Sequence, residues 1–168
     1  MIAVRDERPP DRAAVRAVNE AAFGQPAEAN LVEALHQARA AIVALVAALE
    51  DVIAGHILFS PVTVEHAHGR RLAGLAPMAV APERQRQGIG GMLVREGLAR
   101  CLAAGCDGIV VVGHPDYYPR FGFVPAHTLG LRTEYDVPPE AFMALTLPGR
   151  SLDGVSGLVR FHRAFAQL

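Results

Sequence analysis

The chain has no lysine and no tryptophan, only two cysteines, and no apolar run longer than Ala40–Leu49. Each shortage removes a class of function. Without lysine there is no side-chain amine to modify, and a phosphate loop of the G-x-x-x-x-G-K-[ST] kind is excluded. Cys101 and Cys106 lie five residues apart with no Cys/His spacing of metal-site type around them, so neither a metal centre nor a disulfide framework is expected. They read as buried free thiols. A run ending at Leu49 is well short of the roughly 18 apolar residues that a membrane-spanning helix needs. Charge of one sign is lacking too: 16 basic residues, all arginine, face 17 acidic ones for a net charge of -1. That balance supplies no electrostatic footprint for nucleic acid or an anionic membrane, and neither is expected as a partner. The first residues reach charge at Arg5 without an apolar stretch, so export is not expected and a cytoplasmic location is.

What is present suits one packed domain over residues 1–168, with 51 % hydrophobic and 20 % charged residues. Ile2–Arg5 reads as a strand. Val15, Val18 and Ala22, then Leu31, Ala34, Leu35 and Ala38, recur at helical spacing and predict two helices, the first closed by Gly24. Ile42–Leu49 and Val52–Val64 flank Glu50-Asp51 as a hairpin, followed by a polar turn over 66–71. Leu72–Val80 is apolar on both faces, as a strand covered from both sides must be. Pro77 inside it cannot donate to a ladder and predicts a bulge or break. A helix runs from the glycines near 88–91 to about Ala104, with Val94, Leu98, Cys101 and Leu102 on its apolar face. Ile109–Val112 is a short strand, and 114–123 is irregular or a single helical turn. Phe142–Leu147 and Leu158–Phe165 are two late strands.

The segment with chemical content is Val80-Ala81-Pro82-Glu83-Arg84-Gln85-Arg86-Gln87-Gly88-Ile89-Gly90-Gly91. A buried strand, a polar turn, close glycines and a helix start gather backbone N–H groups that lack intrahelical partners at the positive end of a helix. Such a concavity binds an anion, phosphate above all. Glycine admits the phosphate to the backbone, and Arg84 or Arg86 adds charge. A Rossmann reading fails because the position three after Gly90 is Leu93.

Gln85-Arg86-Gln87-Gly88-Ile89-Gly90, directly after a strand ending in Met78-Ala79-Val80, resembles the Q/R-x-x-G-x-G/A segment of the GNAT superfamily of acyl-CoA-dependent N-acyltransferases. Downstream, Tyr117-Tyr118-Pro119-Arg120-Phe121-Gly122-Phe123 is similar to that family's Y-x-x-x-G-F segment, and the order of elements agrees along essentially the whole chain. The likeness is greatest to a bacterial subgroup with Ala-Phe-Gly near the first helix, here Ala22-Phe23-Gly24, and a Tyr-Tyr before the Phe-Gly-Phe.

The resemblance implies an α/β (α+β) fold in three layers, α-β-α, around a mixed, mostly antiparallel sheet splayed between its fourth and fifth strands. It implies acetyl-CoA as cosubstrate and no metal. The cofactor site would be Met78, Ala79 and Val80 along the pantetheine, and Gln85, Arg86, Gln87, Gly88, Ile89, Gly90 and Gly91 around the pyrophosphate. Tyr118 stands at the family's general-acid position. The acceptor would be a primary amine, on a small molecule or on a peptide or protein, acetylated by direct transfer in a ternary complex. Gly113-His114-Pro115-Asp116 replaces the Asn-x-x-Ala turn common in the family with a shorter approach to Tyr118.

Several points stay open at this level. The general base is one of His56, His114, Asp116, Glu134 and Asp136, or a water chain. Glu134, Asp136 and Glu140 are either an acidic mouth or a solvated loop. The two tyrosines also read as the edge of an aromatic core. A homodimer through the late strands is compatible with the resemblance. The alternative to an enzyme is a non-catalytic acyl-CoA-binding or regulatory module on the same fold.

Overall fold

The computed structural model describes residues 1–168, except the side chain of Gln167. Its helices form where the apolar spacing demands them. Helix α1 (Arg12–Phe23) ends at Gly24, whose φ of +71° is the left-handed conformation glycine adopts without a Cβ penalty. Helix α2 is Ala27–Gln37, and α3 is Ile89–Ala103. The strands are β1 (Ile2–Asp6), β2 (Val43–Leu49), β3 (Val52–Pro61), β4 (Thr63–His66), β5 (Leu72–Val80), β6 (Gly108–Val112), β7 (Val124–Pro125), β8 (Leu131–Thr133), β9 (Phe142–Thr146) and β10 (Ser156–Arg160). Seven of them form the main sheet in the order β1-β2-β3-β5-β6-β9-β7; β4, β10 and β8 form a second, small one.

Period-two alternation along the main sheet feeds two cores. Val46, Leu58, Val110 and Ala144 meet Val15 of α1 and Leu31, Val32 and Leu35 of α2. The intervening Leu45, Ile57, Phe59, Ile109, Val111 and Met143 meet Ile89, Leu93, Val94 and Cys101 of α3 on the opposite face. Three layers result. The small sheet extends the α1–α2 layer, with Leu131, Val159 and Phe161 in its core.

Helix α3 approaches the sheet closely at Gly97, where a Cβ would collide with the ring of the fully buried Phe59. Gly97→Ala gains about 1 kcal/mol of helix propensity but overpacks a ring that has no free volume to enter. The expected outcome is a net loss of about 1–2 kcal/mol, seen as a lower urea midpoint at unchanged slope.

Two features differ from the sequence reading. The strand expected over 158–165 ends at Arg160, because His162 accepts a hydrogen bond from the Ala164 amide at 3.0 Å and starts a short 3-10 turn. The long second strand of the hairpin breaks at Val62, whose amide donates to the Leu72 carbonyl, and β4 leaves for the small sheet.

The feature that shapes the site is a divergence of strands. β5 and β6, the fourth and fifth strands of the main sheet in chain order, run parallel and pair only from Leu72–Gly74 against Gly108–Val110. Beyond Gly74 they part. On the other side of β5, Ile57 pairs with Met78 and Phe59 with Leu75, so Ala76 and Pro77 together stand opposite Leu58. The proline thus sits in a bulge at the start of the split, where a missing N–H costs no ladder bond.

Candidate active site

The split opens a cavity of about 860 Å³. Leu75, Ala76, Pro77, Met78 and Val80 form one wall, and Val112, Gly113 and His114 the other. The Ala81 amide bonds the Ala54 carbonyl at 2.8 Å. Alternation from that bond turns the backbone of Ala79 toward its partner His56 on β3, and the amides of Met78 and Val80 toward the opening. The Val80 carbonyl on that side accepts from Gln85 Nε2 at 3.1 Å, which ties the following turn to the strand end.

That turn closes one end of the cavity with Gln85, Arg86, Gly88, Ile89, Gly90 and Gly91. Arg86 and Gly88 both have left-handed backbones, φ +64° and +85°, which fold the amides entering α3 into a concave nest. Gln87 and Ala79 do not line the cavity; the Gln87 side chain instead donates to the Glu83 carbonyl.

The two tyrosines separate into different environments. The Tyr117 hydroxyl lies 2.9 Å from the point where a Cβ on Gly90 would stand, so it reaches the glycine nest. Arg120 stacks over the Tyr117 ring at 4.4 Å and donates to its carbonyl at 2.8 Å. Tyr118 is only 7 % exposed, edge-on to Tyr117 and Phe123 at ring separations of 5.1 and 5.6 Å. Gly113 leaves room for it: a Cβ there would come within 2.5 Å of the Tyr118 ring. Both rings line the cavity, and the Tyr118 hydroxyl has no protein partner among the described side-chain hydrogen bonds. Burial, with a smaller contribution from Tyr117, pushes the Tyr118 phenol up to about 12. Tyr118 is therefore a protonated donor facing open space.

Of the residues weighed as a base, His114 lines the cavity and Asp116, Glu134 and Asp136 do not. His56 is fully buried beneath α1, bonded to Glu7, and also lies outside it. Glu134 pairs with Arg160 on the small sheet. Cys101 and Cys106 are buried free thiols away from the cavity, which leaves them no nucleophilic part in it. Three charged lining residues were not among those the sequence singled out as a site, Glu28, Arg95 and Arg120. Among the described residues no group of three or more His, Cys, Asp or Glu is arranged to hold a metal.

A family profile described as "Acetyltransferase (GNAT) family" matches residues 11–123, two thirds of the chain. The chain belongs to the GNAT acetyltransferase family. Among GNAT relatives, the Escherichia coli protein called uncharacterized N-acetyltransferase YhbS is 34 % identical over 163 residues, 96 % of this chain and 97 % of its own length. A second Escherichia coli K12 protein, called uncharacterized N-acetyltransferase YjhQ, is 41 % identical over 135 residues, 77 % of this chain and 74 % of its own length. The crystal structure of YhbS in complex with CoA superposes with a TM-score of 0.91 over 98 % of this chain and 92 % of that one. A GNAT acetyltransferase from Brucella melitensis in complex with acetyl-CoA, 37 % identical, gives 0.80 over 98 % of both. The three-layer GNAT fold and its split sheet are thus those that the resemblance implied.

Proposed function

We propose that the protein transfers the acetyl group of acetyl-CoA to a primary amine by direct attack in a ternary complex. The observation that carries this reading is the continuity of the cavity, which joins an anion-binding nest at the start of α3, a length of unpaired β5 backbone and a buried, protonated tyrosine. Acetyl-CoA has the matching sequence of parts: pyrophosphate, amide-bearing pantetheine and thioester. The complexes of the two relatives with CoA and acetyl-CoA support the same assignment.

In this reading the amides from Arg86 to Gly91 hold the pyrophosphate, aided by the cationic Arg86, Arg95 and Arg120. The amides of Met78 and Val80 pair with the pantetheine as a neighbouring strand would. A β5 amide near the bulge polarises the thioester carbonyl, a contribution that is about 3 kcal/mol where one such donor has been removed. The neutral amine attacks the carbonyl carbon, the C–S bond breaks, and the departing sulfur takes the Tyr118 proton, which the phenolate regains from water as the amine nitrogen loses its own. The proton shed by the nitrogen leaves through water or a base.

Calorimetric titration with acetyl-CoA tests the cofactor half of the reading. The expected outcome is one site with a Kd on the order of micromolar, retained with desulfo-CoA and far weaker with ATP, followed by thiol release on adding amine. Absence of binding would mean that the glycine nest is structural and would remove the enzyme reading. Binding without thiol release to any amine would leave an acyl-CoA-binding module.

A further inference from the structure

The cavity has walls on both faces of the sheet, and the two ends differ in charge. Beside α3 stand Arg86, Arg95 and Arg120; on the α1–α2 side the wall is Phe23, Glu28 and Leu31. Glu28 is the one acidic side chain among the described residues that line the cavity. It sits half-buried on the first turn of α2, and both its oxygens accept from Gln25 Nε2, at 3.1 and 3.3 Å. Arg16, the arginine between these helices, is already committed to Glu20, Glu33 and Asn30. Among the described ion pairs Glu28 has none, and it is the acidic side chain without one that lines the cavity.

An ionised group on the wall of a cavity, held in place by an amide and given no counter-charge, is a binding group for a cation from outside. The residues on either side define what that cation is attached to. Phe23, Leu31, Ala76 and Pro77 line the same cavity as Glu28 and are apolar, and a string of methylenes lies along such a lining at no desolvation cost. On the acetyltransferase reading the cofactor's phosphates take the arginine end, which leaves the α1–α2 end for the second substrate.

We propose that Glu28 selects the acceptor: it holds one ammonium of an α,ω-diamine while the opposite amine, deprotonated, reaches the thioester carbon. This inference rests on the acetyltransferase reading and names the substrate class of that same site. A neutral tail in place of the second ammonium loses a charge-assisted hydrogen bond, and an anionic tail meets like charge.

The test compares three acceptors of matched length with saturating acetyl-CoA: hexane-1,6-diamine, hexylamine and 6-aminohexanoate. The expected kcat/KM falls at least about tenfold from the diamine to hexylamine and again to the acid. Glu28→Gln is expected to bring the diamine down to the level of hexylamine through KM, with kcat little changed and acetyl-CoA affinity held. Glu28→Arg is expected to place 6-aminohexanoate above the diamine. Calorimetry of hexane-1,6-diamine against the CoA-saturated protein reads the same site without turnover. Equal use of the three amines, a preference that survives Glu28→Gln, or no diamine binding to the CoA complex would each overturn the assignment. Failure of acetyl-CoA itself to bind would instead overturn the acetyltransferase reading, so the two failures are told apart by one titration.

Discussion

Tyr118→Phe is expected to lower the turnover of acetyl transfer by about 10²–10⁴-fold, the usual range for removing a positioned acid, while leaving acetyl-CoA affinity unchanged. The substitution is clean because the ring does the packing and the hydroxyl does not. The edge contacts to Tyr117 and Phe123 and the close approach of Gly113 all involve the ring, and phenylalanine keeps them. Burial has a further consequence for how the hydroxyl acts. From reference values of about 10 for a phenol and 8.5 for a thiol, proton transfer to the leaving sulfur would be nearly balanced. With the phenol pushed up to about 12, the group is a weaker acid that is protonated, and so ready to donate, before each transfer. A thiolate formed in the same enclosed space is also raised by desolvation, which narrows the gap again. Tyr118 therefore stays protonated through the ordinary tyrosine range, and an alkaline loss of activity within that range belongs to another group. Stopped thiol release by the Phe variant with saturating substrates and unchanged calorimetry supports the role. Full turnover would return Tyr118 to the aromatic core.

How far the site could be read in the sequence depends on what carries each part. The glycine nest was legible because its parts are contiguous: a β-strand end, Pro82, and glycines that open a helix leave few other conformations. Pro77 was legible for a similar reason, since a proline in a strand apolar on both faces contradicts its own ladder unless the pairing fails there. Glu28, Arg95 and Arg120 were not. Glu28 on an amphipathic helix and Arg95 on the polar side of α3 have the pattern of solvated residues, and only the placement of those helices across the split turns them into a wall. The small sheet was hidden as well. Its strands β8 and β4 have three and four residues, too few for a period-two pattern to stand out, and β10 pairs with both across a long gap in sequence. His56 shows the same limit from the other side. Nothing local distinguishes a histidine that lines a site from one that is sealed under a helix, and its partner Glu7 lies 49 residues away.

That partner is the centre of the largest stability effect expected in the molecule. Glu7 follows β1, its side chain is fully buried, and it gathers three elements, β3, α2 and α1. His56 on β3 donates to its Oε1 at 2.8 Å, His36 on α2 at 3.1 Å, and Arg12 on α1 stands 3.0 Å from its Oε2. Asn19 Nδ2, also on α1, closes the network on His56 Nδ1 at 3.4 Å. Burial by itself would raise the Glu7 carboxyl, but the hydrogen bonds from His36 and His56 and the attraction of both rings outweigh it and hold the group at about 2, against 4.5 unperturbed. A depressed carboxyl stabilises the fold above its unfolded pKa, and that contribution is lost as pH falls from about 4.5 toward about 2. The difference corresponds to about 3 kcal/mol. Glu7→Gln leaves two ring donors and the half-exposed Arg12 facing a neutral amide, a loss below the ~3–5 kcal/mol typical of a fully buried pair because solvent reaches Arg12. Urea unfolding at pH 7 is expected to show that loss, and the variant's stability is expected to vary less steeply than the parent's between pH 4.5 and 2. A midpoint shift worth under about 0.5 kcal/mol, or an unchanged acid limb, would mean that water already screens the carboxylate and that the helices α1 and α2 hold to the sheet through their apolar faces alone.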